Sequence, residues 1–361
     1  MADITDKFFE LIQISLGNKE RFEQPPSEKE WGMLFQLSCK HSMAGVLFEG
    51  FKKTEQSVKN KCQALFYEWY AAQLQAIAAN QHQNDKAKEL CTFLSEAGFR
   101  NCVLKGQGTA LYYDNPEYRQ CGDIDIWVEG ERDKILGFAR NRKYDITHID
   151  IKHSDIEFFD DVPVEVHFLP SWMYNASTNK KLQKFFDDQA EKQFENTDTE
   201  VGFTHTTVDF DLVFSIVHIY RHIFSEGIGL RQLMDYYCIL QHSTEEQRRC
   251  AFLILKAMKM AGFVGGIMWI LKVKFGMKEQ FALCPVNIKH GAFLLSEILT
   301  AGNFGQYDNR TKRIEVNKRF KRGFVQLNKN FRFVTYYPSE VLWSPFWKLW
   351  HWCWRKKHGY L

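Results

Sequence analysis

The hydrophobic period changes twice along this chain, and that pattern constrains the fold more than any other feature. From Lys52 to Ala97 there is neither glycine nor proline. Leu65, Trp69, Ala72 and Ile77 recur there at near-helical spacing, which predicts one long helix or a helix pair closed by Gly98. The period then drops to two. Ile124, Ile126 and Val128 alternate with Asp123, Asp125 and Trp127, as side chains on a strand do. Segments 144–150, 155–159 and 163–169 alternate again, two of them joined by a turn at Asp160-Asp161, with a surface helix over 131–142. From Asp209 the helical period returns, over 209–224, 229–242, 244–262 and 264–275, punctuated by glycines. Upstream, Ser27-Glu28-Lys29-Glu30 has capping-box form ahead of the apolar run 31–37.

The chain therefore reads as α+β, with a small sheet-containing block between helical regions. At roughly 100–200 residues per domain, 361 residues make two or three domains. The expected divisions are a helical N-terminal region (1–98), an α/β core (99–205), a helical C-terminal domain (206–309) and a basic, aromatic C-terminal segment (310–361).

Charge is unevenly spread. Formal net charge is +3, yet residues 310–361 hold 13 Lys/Arg and 2 Asp/Glu. A basic end on a mildly acidic body points to a local phosphate, RNA or anionic-lipid contact, not to a wholly basic nucleic-acid protein. Nine cysteines, an odd number with no Cys-x-x-Cys pair, fit neither a disulfide framework nor a zinc ribbon. The start, MADITDKFFELIQ, lacks the features of a signal peptide. The most apolar run, 12 residues from Met260 to Leu271, is too short to span a bilayer. The expected location is a reducing cytoplasm of bacterial type.

The chemistry concentrates between Val103 and Val128. Asp123 and Asp125 share one strand face. Two adjacent carboxylates repel each other unless a cation sits between them. Hard oxygen ligands suit Mg²⁺ or Mn²⁺. A third carboxylate is needed to hold two metals, and Glu165, mid-strand between Val164 and Val166, is the candidate. Two metals so held clamp the attacking and leaving oxygens of a phosphoryl or nucleotidyl transfer. Upstream, the turn Lys105-Gly106-Gln107-Gly108-Thr109 offers free N–H groups at a helix start, an anion cradle. Lys105 adds a point charge and Arg119 a planar fork for phosphate oxygens.

This segment resembles the DNA-polymerase-β-like nucleotidyltransferase superfamily, in which a glycine pair is followed about a dozen residues later by Asp-x-Asp, with a later carboxylate on a neighbouring strand. Its closer resemblance is to the uncharacterised nucleotidyltransferase family. Lys105-Gly106, Ala110, Tyr112-Tyr113, Pro116, Arg119, Gly122-Asp123-Ile124-Asp125-Ile126 and Glu165-Val166-His167 carry that likeness, over roughly residues 90–240. The AbiEii-type toxins have a similar glycine segment. The resemblance implies a small mixed β-sheet nucleotidyltransferase core, an NTP substrate and a metal triad of Asp123, Asp125 and Glu165. It implies transfer of an NMP to an acceptor hydroxyl with release of pyrophosphate, Glu165 polarising that hydroxyl. Gly106, Gly108 and Thr109 would cradle the triphosphate with Lys105 and Arg119. Either Gly106-Gln107 or Gly108-Thr109 can be the glycine pair. The acceptor is not specified; a small molecule or protein side chain is favoured over RNA. The alternative is an inactive nucleotide-binding or toxin–antitoxin-type module.

Other residues have two readings each. His167 shares a face with Glu165 and can meet a phosphate or pack as a half-buried histidine. His218, Arg221 and His222 share a helix face. The histidines have zinc-pair spacing, but no Glu follows His218, so cleft lining or packing is expected. Arg231 and Asp235 form an i, i+4 pair, structural or substrate-lining. Residues 310–332, with nine Lys/Arg and one Glu, form a solvated surface or an RNA or polyphosphate contact. Trp343, Trp347, Trp350 and Trp354 make one helical stripe. Docking on the body is favoured over membrane contact through this end.

Overall fold

The computed structural model describes residues 4–306 and 330–360. The N-terminal helices are α1 (Ile4–Ser15), α2 (Glu28–Lys40), α3 (Ala44–Lys52), α4 (Gln56–Lys61) and α5 (Gln63–Glu96). The capping box opens α2: Glu30 N–H donates to Ser27 Oγ, and Ser27 N–H donates back to Glu30 Oε2 at 2.8 Å. The glycine- and proline-free stretch gives a helix pair. The long member, α5, has 34 residues and so runs about 50 Å. It closes at Gly98, whose φ of +86° is open to glycine at little cost.

Because α5 is so long it joins two cores. Its Trp69 packs on Trp31 and Phe51 among the N-terminal helices. Its Ala87, Leu90, Cys91 and Leu94 pack beneath the sheet.

That sheet has the order β1 (Asn101–Val103), β2 (Ile124–Val128), β5 (Val164–His167), β4 (His153–Ile156), β3 (Ile146–Ile149). It is mixed: β2 and β5 are parallel and the other pairings antiparallel. A one-turn α6 (Gln107–Ala110) follows β1, and α7 (Arg132–Asn141) follows β2. The strand expected over 155–159 lies at His153–Ile156 instead, and Phe158 and Phe159 pack with the apolar layer from the turn beyond it.

Strand alternation sorts the sheet into two faces. Ile124, Ile126, Val128, Ile156, Val164 and Val166 pack with α5 and with Ile135, Leu136 and Ala139 of α7. The opposite face carries Asp125 level with Glu165 and Asp155, and Trp127 level with His167 and His153. At about 25 cal/mol per Å² the apolar face holds the sheet. It leaves the polar face to be stabilised by pairing.

The polar face is covered by helices. After α8 (Ala176–Glu195) and the short hairpin β6 (Thr197–Asp198) and β7 (Phe203–Thr204) come α9 (Val208–Ser225), α10 (Leu230–Gln241), α11 (Glu245–Ala257), α12 (Ala261–Lys274) and α13 (Ile288–Ala301). The break expected at Gly262 comes earlier, at Lys259, which takes a φ of +62°. Gly262 stays within α12, where an added Cβ would stand 2.7 Å from the His290 ring. Buried residues of α1 to α3 and of α9 to α13 belong to one apolar cluster.

The last described helix, α14 (Pro338–Lys357), carries the tryptophan stripe. Trp347 packs on Tyr174, Trp350 lies parallel to Trp172, and Trp354 lies 4.7 Å below the Arg132 guanidinium. Trp343 and Trp350 remain 45% and 46% exposed, so the stripe is covered mainly at Trp347 and Trp354, and Trp350 meets the body through Trp172. The basic stretch 310–332, but for its last three residues, falls outside the described residues. Among those described, no helix is long and apolar enough to cross a membrane.

Candidate active site

The parallel pairing of β2 with β5 builds the acidic centre. It makes Asp125 and Glu165 register partners, and Asp123 precedes β2 by one residue. One oxygen from each of Asp123, Asp125 and Glu165 lies within 4.8 Å of the others. Asp125 is 1% exposed. Burial and the neighbouring Asp123 push its carboxyl up, against Lys105 and His167.

Two cations hold this cluster together. Lys105 Nζ lies 3.0 Å from Asp125 Oδ2. His167 Nε2–H donates to Asp125 Oδ1 at 3.0 Å and stands 3.4 Å from Glu165 Oε2. Burial alone would favour the neutral form of both, but Asp123, Asp125 and Glu165 outweigh it at Lys105, and Asp125 and Glu165 outweigh it at His167, so both are raised. Glu165 shows the converse: burial opposes ionisation, and His167 and His153 outweigh it and lower its carboxyl. An all-oxygen donor set this close suits a hard divalent cation.

The centre stands between two hollows. One is a narrow cleft of about 40 Å³ between the sheet and α9–α10, lined by Lys105, Gly106, Thr109, Asp123, Asp125, Ser215, His218 and Arg231 among others. The other is a groove of about 480 Å³, lined by Asp123, Glu165, Asp155, Glu157, Asp160 and Asp161 among others. Asp123 belongs to both.

The glycine turn separates its two glycines. Gly106 has a φ of +63° and lines the cleft. Gly108 is buried against the hairpin, where an added Cβ would stand 3.1 Å from His205 Cβ. Thr109 is buried at the cleft wall.

Arg119 and Arg231 exchange the places their spacing suggests. Arg119 is 5% exposed and its fork closes on Asp235, Nε to Oδ1 at 2.8 Å and Nη2 to Oδ2 at 2.9 Å. Tyr113 Oη donates to the same carboxylate at 2.6 Å. The expected i, i+4 pair therefore does not form, and Asp235 takes a partner 116 residues away. Arg231 donates Nη1–H to the Gln120 carbonyl at 2.6 Å, and its buried Nε–H has no partner among the described residues.

The helix-face trio also divides. His218 faces the cleft, where burial and Lys105 keep it neutral. Arg221 turns away, 3.7 Å over the Tyr174 ring and 3.6 Å from Glu340 of α14. The His222 ring lies tilted against His218, 4.3 Å between centroids, and pairs with Glu226 at 3.3 Å. Lys152, in the β3–β4 turn, was not visible in the sequence pattern. Burial lowers its ammonium, and Glu165, Lys105 and Arg221 act on it. Its place follows from pairing of strands, which spacing does not show.

The sequence profile of the uncharacterised nucleotidyltransferases matches residues 27–276. The chain belongs to this family. The match runs well beyond residues 90–240, taking in α2 to α5 on one side and α12 on the other. The nucleotidyltransferase family thus includes the long strut α5 and the helical wall over the cleft, not the acidic core alone. Nucleotidyl transfer from an NTP is the general activity that membership brings. No curated protein matches the chain.

Proposed function

We propose that this nucleotidyltransferase moves an NMP from an NTP to an acceptor hydroxyl, releasing pyrophosphate, with Mg²⁺ or Mn²⁺ held by Asp123, Asp125 and Glu165. The observation that carries the reading is the position of the triad. Three carboxylates converge where a cation-lined cleft meets an open groove. A divalent ion bound there would neutralise charge developing on the phosphoryl oxygens and lower the pKa of an attacking hydroxyl.

The remaining roles belong to the chain itself. Gly106, through its open backbone, and Thr109 approach the phosphates at the cleft. Lys105 and Arg231 supply positive charge to them, and Arg119 holds the wall through Asp235. Lys105 Nζ now stands against Asp125, so phosphate entry would draw it from carboxylate to phosphate. His167 holds Asp125 and Glu165 in place. His218, neutral and facing the cleft, can accept or give a hydrogen bond there. The groove of about 480 Å³ is the place for the acceptor, which has the volume of a small molecule or a protruding side chain. The cleft is too narrow for a whole nucleotide, so the base lies outside it or the helical wall moves.

The test is mass spectrometry of products after incubation with each NTP, Mg²⁺ or Mn²⁺, and a metabolite and protein extract. An acceptor heavier by one NMP, absent with Asp123→Asn, is expected. No increment with any NTP, together with no metal-dependent NTP binding by calorimetry, overturns the proposal.

A further inference from the structure

We infer that His148, Asp150 and His153 form a second metal site, for a zinc-class ion, at the outer edge of the sheet, and that His351 of α14 completes it. His148 lies on β3, Asp150 in the following turn, and His153 opens β4. One ligand atom from each falls within 4.8 Å of the others. Two imidazoles and one carboxylate make a borderline donor set that suits Zn²⁺, Co²⁺ or Ni²⁺. The inner triad, all oxygen, suits harder ions. The two sites therefore differ in the metal they select.

The fourth group comes from the C-terminal helix. His351 Nε2 lies 2.7 Å from Asp150 Oδ1. Its ring is stacked between Trp347 at 4.7 Å and Trp354 at 5.7 Å, which fixes its orientation. Asp150 Oδ1 also accepts from Ile151 N–H, so the carboxylate is oriented too. The side chains of His153, Asp150 and His351 are 12%, 14% and 15% exposed, shielded yet within reach of an entering ion.

An ion pair between Asp150 and His351 would account for those two residues alone. It does not account for His148 and His153 converging on the same carboxylate. Nor does it account for His153 Nδ1, which is buried without a hydrogen-bond partner among the described residues. Four protein ligands leave no open position, so the ion would hold structure instead of activating substrate. What it holds is α14 against the β3–β4 turn. None of this rests on nucleotidyl transfer, although His153 also stands beside Glu165 and His167.

His153 also comes within 4.8 Å of Glu165 and His167, so the test must separate the two clusters. Chelator-stripped full-length protein is titrated with Co²⁺, reading the strong visible absorption of four-coordinate cobalt, and with Zn²⁺ against a chromophoric chelator. One equivalent is expected in the wild type and in Glu165→Gln. His148→Ala with His153→Ala should weaken Zn²⁺ at least about 100-fold, and His351→Ala about 10-fold. Zinc should raise Tm by about 5 °C in the wild type and in Glu165→Gln but not in His148→Asn, which keeps the fold readable if the double variant does not fold. Zinc should also slow proteolytic release of α14, except in His351→Ala. Wild-type affinity in the double variant or a wild-type zinc shift in His148→Asn, six-coordinate cobalt, or loss of the signal in Glu165→Gln would each overturn the site.

Discussion

Asp125 and Glu165 stand opposite each other on neighbouring parallel strands, so their carboxylates meet on one face although 39 residues separate them. The meeting costs repulsion, which Lys105 and His167 offset. Asp125→Asn removes a buried charge from a crowded cluster and keeps the shape. Metal-dependent pyrophosphate release should fall roughly a thousandfold, equivalent to about 4 kcal/mol of barrier. Tm should stay within about 3 °C of the wild type. Stripping the divalent ion with chelator should give the same loss in the wild type and no further loss in the variant. A variant that releases pyrophosphate at the wild-type rate would remove Asp125 from the chemistry.

Arg119 and Arg231 separate architecture from substrate contact. Arg119→Met leaves Asp235 buried without its bidentate partner, and should destabilise the protein by about 3–5 kcal/mol in denaturant titration. Arg231→Met removes a guanidinium that, among the described residues, donates to a single carbonyl, that of Gln120. It should leave stability within about 1 kcal/mol and raise KM for the NTP about tenfold. The opposite pattern, a stable Arg119→Met that binds NTP weakly, would return Arg119 to the phosphates.

Period and local spacing made much of this legible. The long helix, the polar sheet face and the Asp123, Asp125 and Glu165 set all follow from periods of 3.6 and 2, which are local properties. Partner choice is not local. Asp235 pairs with Arg119 because the turn after β1 folds back onto α10, and no spacing rule reports that. Arg221 looks cleft-facing on a helical wheel, yet a helix from the far end of the chain supplies Glu340 to hold it. Lys152 and Gly108 behave alike: the one enters the site and the other leaves it through pairings distant in sequence.

Glu340 ties α14 to the body. It is 1% exposed, and accepts from Tyr174 N–H at 2.8 Å and from Asn175 N–H at 3.2 Å. Burial pushes its carboxyl up, with Arg221 and these N–H groups opposing. Glu340→Ala leaves two buried donors and part of a guanidinium unsatisfied, at a cost of about 2–4 kcal/mol. Hydrogen exchange should show loss of protection first in α14 and at Tyr174 and Asn175. Uniform loss across the chain, or none, would deny Glu340 this role.

Asp211 gives the fold a pH dependence of its own. It is 1% exposed, and accepts from Thr206 Oγ1 at 2.6 Å and from Tyr112 Oη at 2.8 Å. Burial pushes its carboxyl up to about 7, against the two hydroxyl donors. The folded chain then holds this proton more tightly than the unfolded chain, whose carboxyl titrates near 4. Stability from this group is complete at pH values below about 4, falls as pH rises towards about 7, and is level above that. In Asp211→Asn the side chain can still accept from Tyr112 and donate to Thr206 but does not titrate. Between about pH 5 and pH 8 the wild type should therefore lose about 3 kcal/mol more unfolding free energy than Asp211→Asn, at 1.4 kcal/mol per unit. Urea titrations of both proteins across that range measure the difference, and parallel curves would place the Asp211 carboxyl back in the ordinary range.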